Sequence, residues 1–140
     1  MGQGARLKKL ATSKREMNPA LEEKLIAMLS RSKMFSGLSK KSLKSISERF
    51  EVHKIRSGQK VVRQGNVNRG FFLIYEGEAK VTLERGIFKK DLEISKLGVG
   101  DVFGVTSLVT GEPSSASVVA DGVVRVFVGS QALFDALAHR

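Results

Sequence analysis

Two helical stripes open the chain's hydrophobic pattern, and a series of short alternating runs follows them. Asn18-Pro19 predicts a helix start. The Asn side chain can accept from the open N–H groups of a first turn, and proline at the first position lacks the N–H that would be orphaned there. Leu21, Leu25, Met28 and Leu29 then recur at helical spacing with Ile26 beside them, which predicts a helix to about Ser32. A second short helix is expected after Ser36-Gly37, capped by Ser39, with Leu43, Ile46 and Phe50 as its stripe. The period changes after Phe50. Strand-like segments recur about every ten residues. Turn signals separate them at Ser57-Gly58, Gln64-Gly65, Glu76-Gly77, Arg85-Gly86, residues 98–100, residues 111–113 and Asp121-Gly122. Short strands at even spacing point to a β-sandwich or barrel. The chain closes on residues 130–139, where Leu133, Phe134 and Leu137 predict a short amphipathic helix. The organisation is therefore a basic arm (1–18), a helical segment (19–50), a β-rich segment (51–128) and a terminal helix (129–140). Residues 1–18 read as an arm or as a short, marginal helix.

The 140 residues suit one domain with one sizeable core. No cysteine is present, which excludes disulfides, thiolate catalysis and cysteine-ligated metals, and fits a reducing, cytoplasmic setting. The longest apolar runs resemble Phe71 to Tyr75, too short to span a membrane. The net charge is +10 and lies unevenly: residues 1–60 hold 15 Lys or Arg against 5 acids, while residues 61–140 hold 9 against 9. A basic arm can meet phosphates or an anionic membrane face. The only aromatics in residues 1–60, Phe35 and Phe50, are expected in the core, so specific nucleic-acid binding by stacking is not expected.

Enzyme signatures are missing. There is neither a G-x-S-x-G elbow nor a Walker phosphate loop. Gly98, Gly100 and Gly104 are one residue off a dinucleotide fingerprint and read as turn glycines. His53 and His139 make no pair by spacing, and Asp101 and Glu112 read as solvated loop acids. The pattern predicts neither a catalytic constellation nor a metal site.

The specific signal is a glycine and aromatic pattern. Gly58 to Gly65 (GQKVVRQG) precedes Phe71 to Val81 (FFLIYEGEAKV), and Leu97 to Gly104 (LGVGDVFG) follows. This pattern resembles the cyclic nucleotide-binding domain family over residues 33–138. The resemblance implies an eight-stranded β-roll, or jelly-roll, preceded by helices. It also implies a phosphate cassette in which a short helix aims its backbone N–H groups at a cyclic phosphate. By that resemblance the ligand-binding residues are Phe103, Gly104, Val105, Thr106, Ser107, Ser114, Ser115, Ala116 and Ser117. Gly104 would let the backbone approach the ligand, and Phe103, Val105 and Val118 would line the pocket.

Both charged anchors of the family are replaced. Val105 stands where the family has a Glu for the ribose 2′-hydroxyl, and Ser114 where it has an Arg for the phosphate. Arg69, Lys96 and Arg125 are candidates to compensate. The lid helix that usually follows the roll is expected to be absent. The resemblance thus implies a degenerate regulatory or interaction module with weak or lost cAMP or cGMP binding and no other cofactor. Such a module is expected to form a homodimer through its N-terminal helices, where the α-helical stripe at Leu21 to Leu29 either packs on its own roll or meets a second copy. Glu16, the only acid in residues 1–18, is a candidate carboxylate to fill the vacated pocket. The alternative is a working cAMP or cGMP sensor within a larger signalling protein, channel or transcription regulator.

Overall fold

The computed structural model describes residues 12–139. In chain order the elements are β1 (Ser13–Arg15), α1 (Pro19–Arg31), a 3₁₀ turn (Lys33–Phe35), α2 (Lys40–Ser47), β2 (Glu51–Ile55) and β3 (Lys60–Val62). There follow β4 (Gly70–Leu83), β5 (Leu92–Leu97), β6 (Val102–Phe103), α3 (Val105–Thr110), β7 (Ser117–Ser130) and α4 (Gln131–Ala138). The seven strands form one antiparallel sheet in the order β1-β2-β7-β4-β5, with β3 joined to β7 and β6 to β4.

The helix starts follow from local chemistry. Asn18 Oδ1 accepts from the Leu21 N–H at 2.9 Å, Ser39 Oγ from Ser42 N–H at 3.1 Å and Ser130 Oγ from Leu133 N–H at 3.0 Å. Each cap satisfies a donor that the first helical turn cannot. The 3₁₀ turn between α1 and α2 was not foreshadowed by the stripe, and it buries Phe35.

Of the two readings of residues 1–18, the short helix is not what residues 13–15 form: they are a strand against β2, pairing Ser13 with Lys54 and Arg15 with Val52. His53 holds it there. The ring is buried, with Nε2 2.8 Å from Glu51 Oε1 and Nδ1 in contact with Thr12 Oγ1. Residues 1–11 lie outside the described range.

The strand count also differs from eight, for a specific reason. The expected turns at Glu76-Gly77 and Asp121-Gly122 are not turns. They are bends within two strands of 14 residues each, β4 and β7, which pair along their length with register shifts around Glu76. Counted as two segments each, these strands bring the roll from β2 to β7 to the expected eight. Gly77 has φ of +93°, and a Cβ on it would lie 2.4 Å from the Val123 carbonyl oxygen. A positive-φ glycine in a bulge lets a long strand bend without ending.

Two cores result, one on each side of β4. Phe72 and Ile74 point into the roll with Ile55, Val62, Val118 and Val126. Phe71, Leu73 and Tyr75 point the other way, into a core shared with Leu25, Met28, Leu29, Phe35, Phe127 and Leu133. The α1 stripe therefore packs within its own chain, the first of its two expected uses.

Replacing Gly77 by Ala should destabilise the fold by about 2 kcal/mol or more, since strained backbone and a backbone clash coincide. Gly58→Ala, with positive φ but no atom within 4 Å of the added Cβ, should cost clearly less in the same urea titration. Equal midpoint shifts for the two variants would refute the assignment of Gly77 as a packed bend.

Candidate functional site

The cassette forms where α3 and the segment before β7 face the inner surface of β3 and β4. A cavity of about 190 Å³ lies there. Gly104, Thr106 and Ser107 form one wall, and Ser114, Ser115 and Ala116 a second. Val62, Val81 and Val118 form an apolar floor, and Asn68 closes one end. The volume falls below the roughly 300–1,000 Å³ of typical small-molecule sites. Six of the nine expected cassette residues are thus brought together.

Three of them are not. Phe103 turns into the roll core and stacks on Phe72, with ring centroids 4.8 Å apart. Val105 packs against the helical-side core instead of the cavity. Ser117 is fully buried on the opposite side of β7 from Val118, and its Oγ accepts from the Gln64 N–H at 2.9 Å. Strand alternation separates Ser117 from the cavity, and aromatic stacking withdraws Phe103. Of Phe103, Val105 and Val118, only Val118 lines the pocket.

Gly104 is needed for a different close approach from the one expected. Its φ is +87°, and a Cβ there would lie 2.6 Å from Asn68 Nδ2 and 2.9 Å from the Gly70 carbonyl oxygen. The crowding is with the protein's own β4 region. Asn68, which sequence reasoning missed, is nearly buried and donates from Nδ2 to the carbonyls of Gly104, at 2.7 Å, and Gly70. That clamp fixes where α3 begins. The only signal in the sequence was a polar residue two positions before a glycine, which does not reveal a partner 36 residues away.

The electrostatics are those of a neutral pocket. Among the described residues, no charged residue lines the cavity. By helix geometry the first amides of α3 lack intrahelical acceptors, so backbone donors remain at one wall. Ser114 cannot replace an arginine: its Oγ donates to the Ala116 carbonyl at 2.7 Å. The three candidate compensating cations are elsewhere. Arg125 Nε lies 3.1 Å from Glu76 Oε2, Lys96 sits on β5 opposite Lys80, and Arg69 does not line the cavity. Glu16 is exposed and borders a groove with Arg15, Glu48 and Arg49, which shares no residue with the cassette. Within one chain it does not fill the pocket, because pairing of β1 with β2 holds residues 13–15 on another surface. Asp101, the loop acid, accepts from the Gly98 N–H at 2.7 Å and so shapes its own turn. Among the described residues no cluster of His, Asp or Glu could hold a metal, and no helix is long and apolar enough to cross a membrane.

Comparison with known proteins agrees with this architecture. The profile of the family described as "Cyclic nucleotide-binding domain" matches residues 52–140. The chain belongs to the cyclic nucleotide-binding domain family. A curated relative, the cAMP-dependent protein kinase type II regulatory subunit of Drosophila melanogaster, is 38% identical over 68 residues, covering 49% of this chain and 18% of the relative. The regulatory domain of Toxoplasma gondii PKA, solved with cAMP, superposes with a TM-score of 0.74 at 25% identity, over 84% of this chain and 45% of that one. A triple mutant of the regulatory subunit of a cAMP-independent protein kinase A from Trypanosoma brucei, bound to cAMP in the A site, gives 0.72 at 21% identity, over 84% and 43%. The chain thus spans less than a fifth of the curated relative.

Asn68→Ala should lower stability by about 1–3 kcal/mol, because two buried carbonyls lose their donor. Amide exchange should accelerate first in α3. Unfolding at the wild-type midpoint with unchanged protection in residues 105–110 would show that the clamp does not hold this helix.

Proposed function

We propose that this chain is a regulatory and interaction module of the cyclic nucleotide-binding class whose cassette binds cAMP or cGMP weakly or not at all. The observation that carries the reading is that, among the described residues, no charged side chain lines the cavity, combined with Val105 facing away from it. Loss of a buried charged partner costs about 2–5 kcal/mol, and of a charge-assisted hydrogen bond roughly 1.5–3 kcal/mol. Even about 4 kcal/mol turns micromolar binding into millimolar. The trypanosomal protein kinase A described as cAMP-independent holds cAMP as a triple mutant, and one of its three changes introduces an arginine. The module acts by binding, not by catalysis, and its lack of cysteine suits the cytoplasm.

The reading includes self-association through the N-terminal helical segment. The α1 stripe is consumed inside the chain, so the contact falls to α2. There Leu38 and Ile46 border an open groove of about 380 Å³ with Leu133 and Leu137 of α4.

Calorimetric titration with cAMP and then cGMP should give no saturable heat below millimolar ligand. Ser114→Arg should improve cAMP affinity at least about tenfold, the return of one charge-assisted contact. Micromolar binding by the unaltered chain would overturn the reading and favour a working sensor. Sedimentation equilibrium should show a dimer at tens of micromolar protein and a monomer for Ile46→Glu. A wild-type monomer at several hundred micromolar would remove self-association from the proposal.

A further inference from the structure

A second, larger cavity lies outside the roll. It occupies about 570 Å³ between α1, the outer face of β4 and the Val99-Gly100 turn. That volume is within the range of small-molecule sites. Its walls differ in chemistry from those of the cassette. Met28, Leu73 and Tyr75, all buried, supply an apolar floor, and the exposed Val99 extends it at the rim.

Three cations stand round the floor: Lys24, Arg31 and Lys33. Among the described residues no acid lines the cavity, and none of the three cations forms an ion pair with a carboxylate. All three are exposed, and Lys24 Nζ sits 5.8 Å from the centre of the Tyr75 ring, at the reach of a cation–π contact. Arg31 ends α1 and Lys33 opens the 3₁₀ turn just beyond it, where the helix dipole favours positive charge. Lys24 does not share that explanation. It lies two turns earlier, and its spacing of four to Met28 and seven to Arg31 places all three on one helical face. The arrangement is therefore a stripe of two cations with an apolar residue between them, set over an apolar floor. Burial pushes the Tyr75 phenol above its ordinary value, an effect the neighbouring Arg125 guanidinium partly offsets, so the floor keeps a neutral ring under the cations.

We infer that this cavity binds a small organic anion with an apolar body, its carboxylate, sulfonate or phosphate held by Lys24, Arg31 and Lys33 and its body laid on Met28, Leu73 and Tyr75. The concave shape, bounded by a helix, a strand and a turn, suits a free small molecule. The cation rim excludes positively charged ligands, and the apolar floor distinguishes the ligand from simple phosphate. The inference is independent of what occupies the cassette.

A matched pair of dyes tests it. 1-Anilinonaphthalene-8-sulfonate carries both features, while N-phenyl-1-naphthylamine has the same aromatic body without the charge. In titrations of the full chain at low salt, the sulfonate should bind saturably with one-to-one stoichiometry. Arg31→Glu/Lys33→Glu should weaken it at least tenfold and leave the neutral dye within twofold. Lys89→Glu/Lys90→Glu makes the same change in net charge beside the exposed Ile87 and Phe88, and should leave both dyes unchanged. Val99→Glu, at an exposed rim position, should also weaken the sulfonate and provides a second variant that leaves the buried core intact. The inference is overturned if no saturable binding occurs, or if both site variants keep wild-type sulfonate affinity. It is also overturned if the Lys89/Lys90 variant loses as much, or if the neutral dye is lost in parallel with the charged one.

Discussion

Between Phe71 and Tyr75, strand β4 sends alternate side chains into two separate cores, and neither core closes without it. Phe72 and Ile74 fill the roll, while Phe71, Leu73 and Tyr75 receive the helices. A strand buried on both faces reads as an unbroken apolar run because neither face meets water. The aromatic contacts follow that division. Phe72 stacks on Phe103 inside the roll, while Phe71 meets Phe50 and Phe134 edge-on outside it, and Tyr75 stacks on Phe127. The cassette hangs from the inner side of this strand, through Asn68 and β6. The second cavity opens on its outer side. A disturbance in β4 is felt in both.

Much of this was legible in the sequence, and the parts that were not share a cause. Asn18 and Ser39 declared their caps because the acceptor and its donor lie three residues apart. The roll itself followed from the spacing of turn signals and from the resemblance. Gly77 and Gly122 misled because an acidic residue before glycine suits both a hairpin turn and a bulge. Only the long pairing of β4 with β7 decides for the bulge. Ser114 and Ser115 line the cavity, whereas Ser117 does not, since one step along a strand reverses a side chain's direction. Asn68 was illegible for a stronger reason: its role is defined by carbonyls that the fold brings to it.

The charge imbalance of the sequence also acquires a location. In the roll, cations meet acids: Lys60 contacts Glu84 and Asp91, Arg125 contacts Glu76, and Lys80 reaches Asp121. These pairs are exposed and contribute little stability individually. The helical segment instead keeps Lys24, Arg31 and Lys33 without carboxylate partners. The two sides of β4 therefore differ in electrostatics as well as in architecture, and anions are drawn to the helical side.

Strand β1 has a consequence of its own. By pairing with β2 it covers a row of backbone donors and acceptors that would otherwise form an open sheet edge, and open edges recruit strands from other chains. The new edge is three residues long, entirely exposed and carries Lys14 and Arg15, features that discourage further pairing. The basic arm thus doubles as a guard against strand exchange, and His53, clamped between Thr12 and Glu51, is the latch that keeps the guard in place.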